Sequence, residues 1–106
     1  MRSPIIEKHR SDDKYRPAGG VTSGRGFIID WQDGPLAVDG VRREPNGAFV
    51  EDIVAAVIGR IEFYEASEFA NGYNRCALAS LREAAAVLDR RTKDREARGV
   101  EGTHQQ

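Results

Sequence analysis

Between Tyr73 and Ala97 the apolar residues Leu78, Leu81, Ala85 and Leu88 recur every three or four positions, and neither proline nor glycine interrupts them. At about 100° per residue that spacing lines them up on one stripe of a single long helix. The same arithmetic carries Asn74 at the start and Arg95 near the end onto the stripe, with Arg91 one turn before Arg95. A face built for burial therefore ends in polar groups at both poles. Covered polar groups need partners, and paired arginines select anions such as phosphate and carboxylate.

A second helix precedes it. Phe49, Ile53, Val57, Ile61 and Tyr64 mark one face, and Val50, Val54 and Ile58 widen it, so this helix is expected to be covered on more than one side. Asn46 is the expected N-cap, with Glu51 and Asp52 near the positive end of the helix. The short loop from Ser67 to Gly72 sends the second helix back antiparallel, giving a helical hairpin over residues 46–98 that stops at Gly99. Residues 99–106 then read as a tail. Upstream, Gly26 to Trp31 is aromatic and β-branched between glycines and reads as a strand, Gln32 to Pro35 supplies a turn, and Leu36 to Val38 returns as a second strand. Residues 1–20 mix prolines, glycines and charges with one short apolar pair and read as a mobile arm or one that orders on a partner. The expected fold is α+β, with a β region over residues 21–44 forming a small antiparallel sheet, followed by the long two-helix antiparallel hairpin within one domain of residues 21–104.

At 106 residues the chain is near the size where one core is only marginally sufficient, and burial against copies of itself would add stability, so an oligomer is expected. A formal net charge of −1 excludes a general coater of nucleic-acid polymers, which carries a strongly basic balance. Charge is instead local, since residues 90–98 carry a net +3. Only Lys8, Lys14 and Lys93 are lysines among the 16 basic residues, and the arginines that make up the rest offer the planar fork suited to phosphate. Cys76 is the sole cysteine and has no partner for an internal disulfide, which fits a reducing compartment. No stretch approaches the roughly 18 apolar residues of a membrane span, so the expectation is a soluble chain.

Catalytic constellations are absent from the sequence. His9 and His104 lie at opposite ends, Cys76 has no histidine near it, and no metal-ligand spacing such as CxxC or HExxH occurs, so neither an enzyme nor a metal or cofactor site is expected. Gly24-Arg25-Gly26-Phe27 resembles a minimal phosphate-cradling loop, though glycines opening a strand are more often turn residues. Arg91 and Arg95 are the stronger anion site, set against the plain reading that cations near a helix C-terminus offset its dipole. Asn74 lies 17 positions before Arg91, which at about 1.5 Å per residue separates them by roughly 25 Å along one helix. No small ligand spans that distance, so a pocket using both must draw Asn74 from one protomer and the arginines from another.

The run from Trp31 to Leu36, then Asn46-Gly47-Ala48-Phe49-Val50-Glu51-Asp52, then Asn74 through Leu81 to Arg90-Arg91-Thr92 and Arg98 to His104, resembles the phage anti-Thoeris sponge family. The helical hairpin of that family is shared with anti-CBASS cyclic-oligonucleotide sponges. The resemblance implies a non-enzymatic protein that binds the cyclic ADP-ribose isomers made by Thoeris sensors and holds them intact in the cytoplasm of the infected bacterial host. It also implies a small sheet followed by two long helices, with protomers interlocked as dimers or hexamers and ligand pockets between them. The family's stacking aromatic, ten positions before the asparagine, falls on Tyr64, the asparagine on Asn74, and the arginine pair on Arg91 and Arg95. An arginine from the sheet region also contributes, for which Arg25 and Arg42 are both candidates. Tyr64 departs from the phenylalanine of other members, keeping the stack and adding a hydroxyl. Some relatives bind cyclic di- or trinucleotides at separate sites formed by higher assembly. The rival readings are a helical-hairpin interaction module or small phage regulator, and an enzyme that cleaves the signal.

Overall fold

The computed structural model describes residues 4–34, 36–38 and 40–97 of the chain, and for residues 37, 38 and 95–97 the backbone alone. Strands β1 (Ile6–Ser11), β2 (Pro17–Gly24), β3 (Phe27–Asp30), β4 (Ala37–Val38) and β5 (Val41–Arg42) precede helices α1 (Val50–Glu65) and α2 (Gly72–Ala97). The α+β class expected from the sequence is the one observed. Two compact units result, one holding the strands through Phe49 and the other the helices, Val50–Ala97.

Antiparallel pairing joins the first three strands in the order β1-β2-β3. Residues 6–20, expected as a mobile arm, carry all of β1 and the first half of β2. Their strand character is invisible to apolar periodicity because every residue of β1 is exposed. Turn chemistry specifies it instead. The Asp12 carboxylate accepts hydrogen bonds from the backbone N–H of Lys14 (2.8 Å) and Arg16 (3.0 Å) and from Arg16 Nε (2.7 Å), while Tyr15 takes a left-handed φ of 60°. An aspartate that folds its own downstream backbone in this way closes the loop locally.

The expected partner of the third strand also differs. β3 pairs with β2, Gly24 opposite Phe27, rather than with residues 36–38. Arg25 and Gly26 form the two-residue link, and Gly26 at φ 82° supplies the positive dihedral such a tight link requires. Gly24-Arg25-Gly26-Phe27 is thus a hairpin turn. β4 pairs instead with β5 about Gly40, itself at φ 78°.

Trp31 anchors this unit from the end of β3. Its indole N–H donates to the hydroxyl of the buried Thr22 at 2.7 Å, giving a covered polar atom its partner. Trp31 also bridges to Ala48 in parallel, and beside that bridge Gln32 Oε1 accepts from the N–H groups of Asn46 and Gly47. Asn46 in turn accepts from Asp33 N–H and donates to Asp33 O. Asn46 is therefore not the N-cap of α1, whose first residue is Val50. Its amide is consumed by the chain 13 residues upstream, a pairing that no local rule anticipates.

The two helices run antiparallel, as three ion pairs at graded positions show: Glu65 with Arg75, Glu62 with Arg82, and Glu51 with Arg91. On α2 the residues with reduced exposure are Asn74, Leu78, Leu81, Ala85, Leu88 and Thr92, alternating in steps of four and three. Leu78 is the most deeply covered at 5% exposure. Full burial of such a side chain stabilises by about 1.5–3 kcal/mol. From α1, Ile53, Val54, Ile58, Ile61 and Tyr64 are half-buried, whereas Val50, Val57 and Phe63 stay exposed. Within a single chain α1 is thus covered on one side, less than its broad apolar surface led us to expect. None of the described helices is long and apolar enough to cross a membrane.

Candidate functional site

Tyr64 and Asn74 both stand at the loop end of the hairpin, where short-range polar contacts fix the backbone. The Ser67 hydroxyl donates to Tyr64 O at 2.6 Å and accepts from Phe69 N–H at 3.1 Å. Asn71, immediately before α2, accepts from the Asn74 N–H at 2.8 Å through its Oδ1 and so caps the helix. Glu65 then ties the two helices together, accepting from Asn71 N–H through one oxygen and pairing with Arg75 through the other. The Asn74 backbone is held rigidly as a result.

Its side chain is half-buried, and its Nδ2 donates a long 3.4 Å bond to Phe69 O. Among the described residues nothing donates to Asn74 Oδ1. That oxygen is available to an amino or hydroxyl group. Tyr64 is half-buried too, and its hydroxyl accepts from Arg60 Nε at 3.1 Å. The Arg60 guanidinium lies over both neighbouring rings, 4.9 Å from the Tyr64 centroid and 5.1 Å from that of Phe63.

Arg91 belongs to the opposite end of the hairpin. Its Nη2 donates to Glu51 Oε1 at 2.7 Å, linking the last third of α2 to the first turn of α1. Glu51 stands in the first turn of α1, where an acidic side chain complements the helix dipole. Arg95 lies one turn further along α2, and its side chain is outside the described residues. So are Arg98, Gly99 and the tail with His104. Because α2 is one unbroken helix of 26 residues, the rise of about 1.5 Å per residue keeps Asn74 and Arg91 roughly 25 Å apart. Within one hairpin they face different solvent.

Arg25 and Arg42 belong to the strand unit, the former at the tip of the β2–β3 turn and the latter in β5, and both are exposed. Among the described residues no three or more His, Cys, Asp or Glu side chains gather where a metal ion would be held. Arg60 and Phe63 were not singled out in the sequence, and Glu51 only as an acidic residue near the start of α1, not as the partner of Arg91. Arg60 had a legible signal, since its spacing of three and four from Phe63 and Tyr64 puts all three on one helix face. The pairing of Glu51 with Arg91 had none, the two being 40 residues apart in the chain.

The arrangement offers, at one end, a ring under a cation and an amide with a free oxygen, and at the other a paired arginine followed by a second one turn on. No protein-family model matches the chain. Over 83 residues it is 40% identical to the protein named "Thoeris anti-defense 1" of Bacillus phage SBSphiJ7. The match takes in 78% of this chain and 56% of that relative, so the chain spans little more than half the relative's length.

Proposed function

We propose that the chain belongs to the phage anti-Thoeris family across that span and that it counters Thoeris immunity in the infected cell by binding cyclic ADP-ribose signals and holding them uncleaved. The observation that carries the reading is the 40% identity to a relative named for Thoeris anti-defence. The chemistry of the hairpin supports the finer claim. A cyclic ADP-ribose carries an adenine and two phosphates. Tyr64 supplies a stacking surface, Asn74 an amide for an adenine edge or ribose hydroxyl, and Arg91 with Arg95 forks for the diphosphate.

One hairpin does not bring these groups together, so the pocket forms between protomers packed antiparallel, the Tyr64 and Asn74 end of one against the arginine end of the next. Exposed Val50 and Val57 on α1 are the apolar surface such packing covers. Burial between protomers slows release, which a sequestering protein needs more than turnover.

Capture separates this reading from its rivals. The full chain is incubated with cyclic ADP-ribose and filtered, then denatured by heat, and the released nucleotide is identified by mass spectrometry. Intact signal recovered after heating is the expected result, and R91A/R95A abolishes capture while keeping the assembly. A degraded nucleotide identifies a cleaving enzyme. Free signal before heating favours the interaction module, for which the exposed face of α1 provides the surface. Cyclic di- and trinucleotides in the same assay test for separate sites of that kind.

A further inference from the structure

Arginines of the hairpin divide by what neutralises them. Arg75, Arg82 and Arg91 each face a carboxylate, on Glu65, Glu62 and Glu51. Arg60 faces none among the described residues. The positions one turn before it are Ala56 and Val57, and those one turn after are Phe63 and Tyr64. Its cation therefore rests on two rings, with one hydrogen bond to a neutral hydroxyl. The rings themselves meet at a tilt of 54° with centroids 6.3 Å apart, and Phe63 is 61% exposed.

A guanidinium held on aromatic faces without a counter-anion is a half-complete nucleotide contact, because the ring offers a stacking surface and the fork still lacks its anion. Compared with the carboxylate pairs of Arg75, Arg82 and Arg91, the bond to the Tyr64 hydroxyl is the weaker tether, since charge-assisted contacts with an anion are roughly twice as strong as those with a neutral partner. A phosphate arriving beside Tyr64 thus meets an arginine that has no carboxylate to exchange.

We propose that Arg60 is a further ligand-binding residue, which donates its guanidinium N–H groups to a phosphate of the nucleotide whose base stacks beside it on Tyr64. The proposal deepens the sequestration reading and rests on it. The tyrosine hydroxyl has a role here that a phenylalanine would not fill, holding Arg60 over the rings before the ligand arrives. The preorganised cation spends less conformational freedom on binding.

Calorimetric titration of cyclic ADP-ribose into the full chain tests it, comparing the unaltered protein with R60A and R60K. R60A is expected to bind at least about tenfold more weakly, with a shallower dependence on salt, as loss of one charge-assisted contact implies. R60K is expected to fall between, because it keeps the charge and loses the fork. Thermal unfolding midpoints are expected to be unchanged, Arg60 being exposed and without an ion pair. Equal affinity in R60A, or an affinity loss matched by a lowered midpoint, overturns the role of Arg60 and leaves sequestration standing. Absence of binding by the unaltered chain overturns both. If R60A does not fold, R60K decides: weaker binding by the folded variant supports the proposal, and unchanged binding sinks it.

Discussion

Asp12 closes the first hairpin with one carboxylate. The backbone N–H of Arg16 is the main cause that holds its pKa below the ordinary aspartate range; desolvation opposes it, and the Lys14 N–H and the Arg16 guanidinium reinforce it. A carboxyl whose folded-state pKa is lowered stabilises the fold above its unfolded value and loses that contribution as pH falls through the lowered one. Titration followed by NMR is accordingly expected to give Asp12 a midpoint below 3.8, with the β1–β2 amides losing protection only in acid; a midpoint at or above that value would remove the turn's electrostatic basis. Gly47 constrains the same unit sterically. A Cβ built there meets the carbonyl of Trp31 at 2.6 Å and that of Asp30 at 2.7 Å, both rigid backbone. Gly47→Ala is expected to destabilise by about 1–3 kcal/mol, the usual range for forced overpacking, read as a lowered urea midpoint; no change would show that the Trp31–Ala48 bridge gives way freely.

Helix α2 shows how far an element is legible alone. Its stripe, from Asn74 through Leu78 to Thr92, matches the periodicity written in the sequence, because each step of three or four residues is a local geometric fact. What α2 touches is another matter. Glu51 faces Arg91 across the hairpin, and a phosphate recruited by Arg91 must displace that carboxylate. The pair is half exposed and worth little to stability, within about 1 kcal/mol. Glu51→Gln is therefore expected to leave the unfolding midpoint nearly unchanged and to tighten cyclic ADP-ribose binding severalfold in calorimetry. Weaker binding would mean that Glu51 positions Arg91 instead of competing for it. Strand pairing was the poorly legible part. β1 carries no apolar alternation, so its membership in the sheet depends on the Asp12 turn and on main-chain bonds that any sequence makes.

As a whole molecule the described chain buries little. Leu36 and Leu78 are the apolar side chains it covers almost fully, and large apolar residues on both helices and the loop between them, among them Val50, Val57, Val87 and Phe69, remain exposed. A chain of this size gains most from burying such a face on a copy of itself. Sedimentation of the purified protein is expected to show a dimer or higher assembly at micromolar concentration, and Val57→Glu to dissociate it with loss of nucleotide capture; a monomer that captures ligand would rule out a pocket shared between protomers. The sequence by itself determined the helical hairpin, the apolar stripe of its second helix and the α+β class, since periodicity and turn chemistry act over a few residues. Tertiary structure alone decided that β3 pairs with β2, that Asn46 holds Asp33 rather than capping α1, and that Arg91 is answered by Glu51. The physical reason is range: partners 13 and 40 residues away are chosen by how the folded chain returns on itself, which no local pattern records.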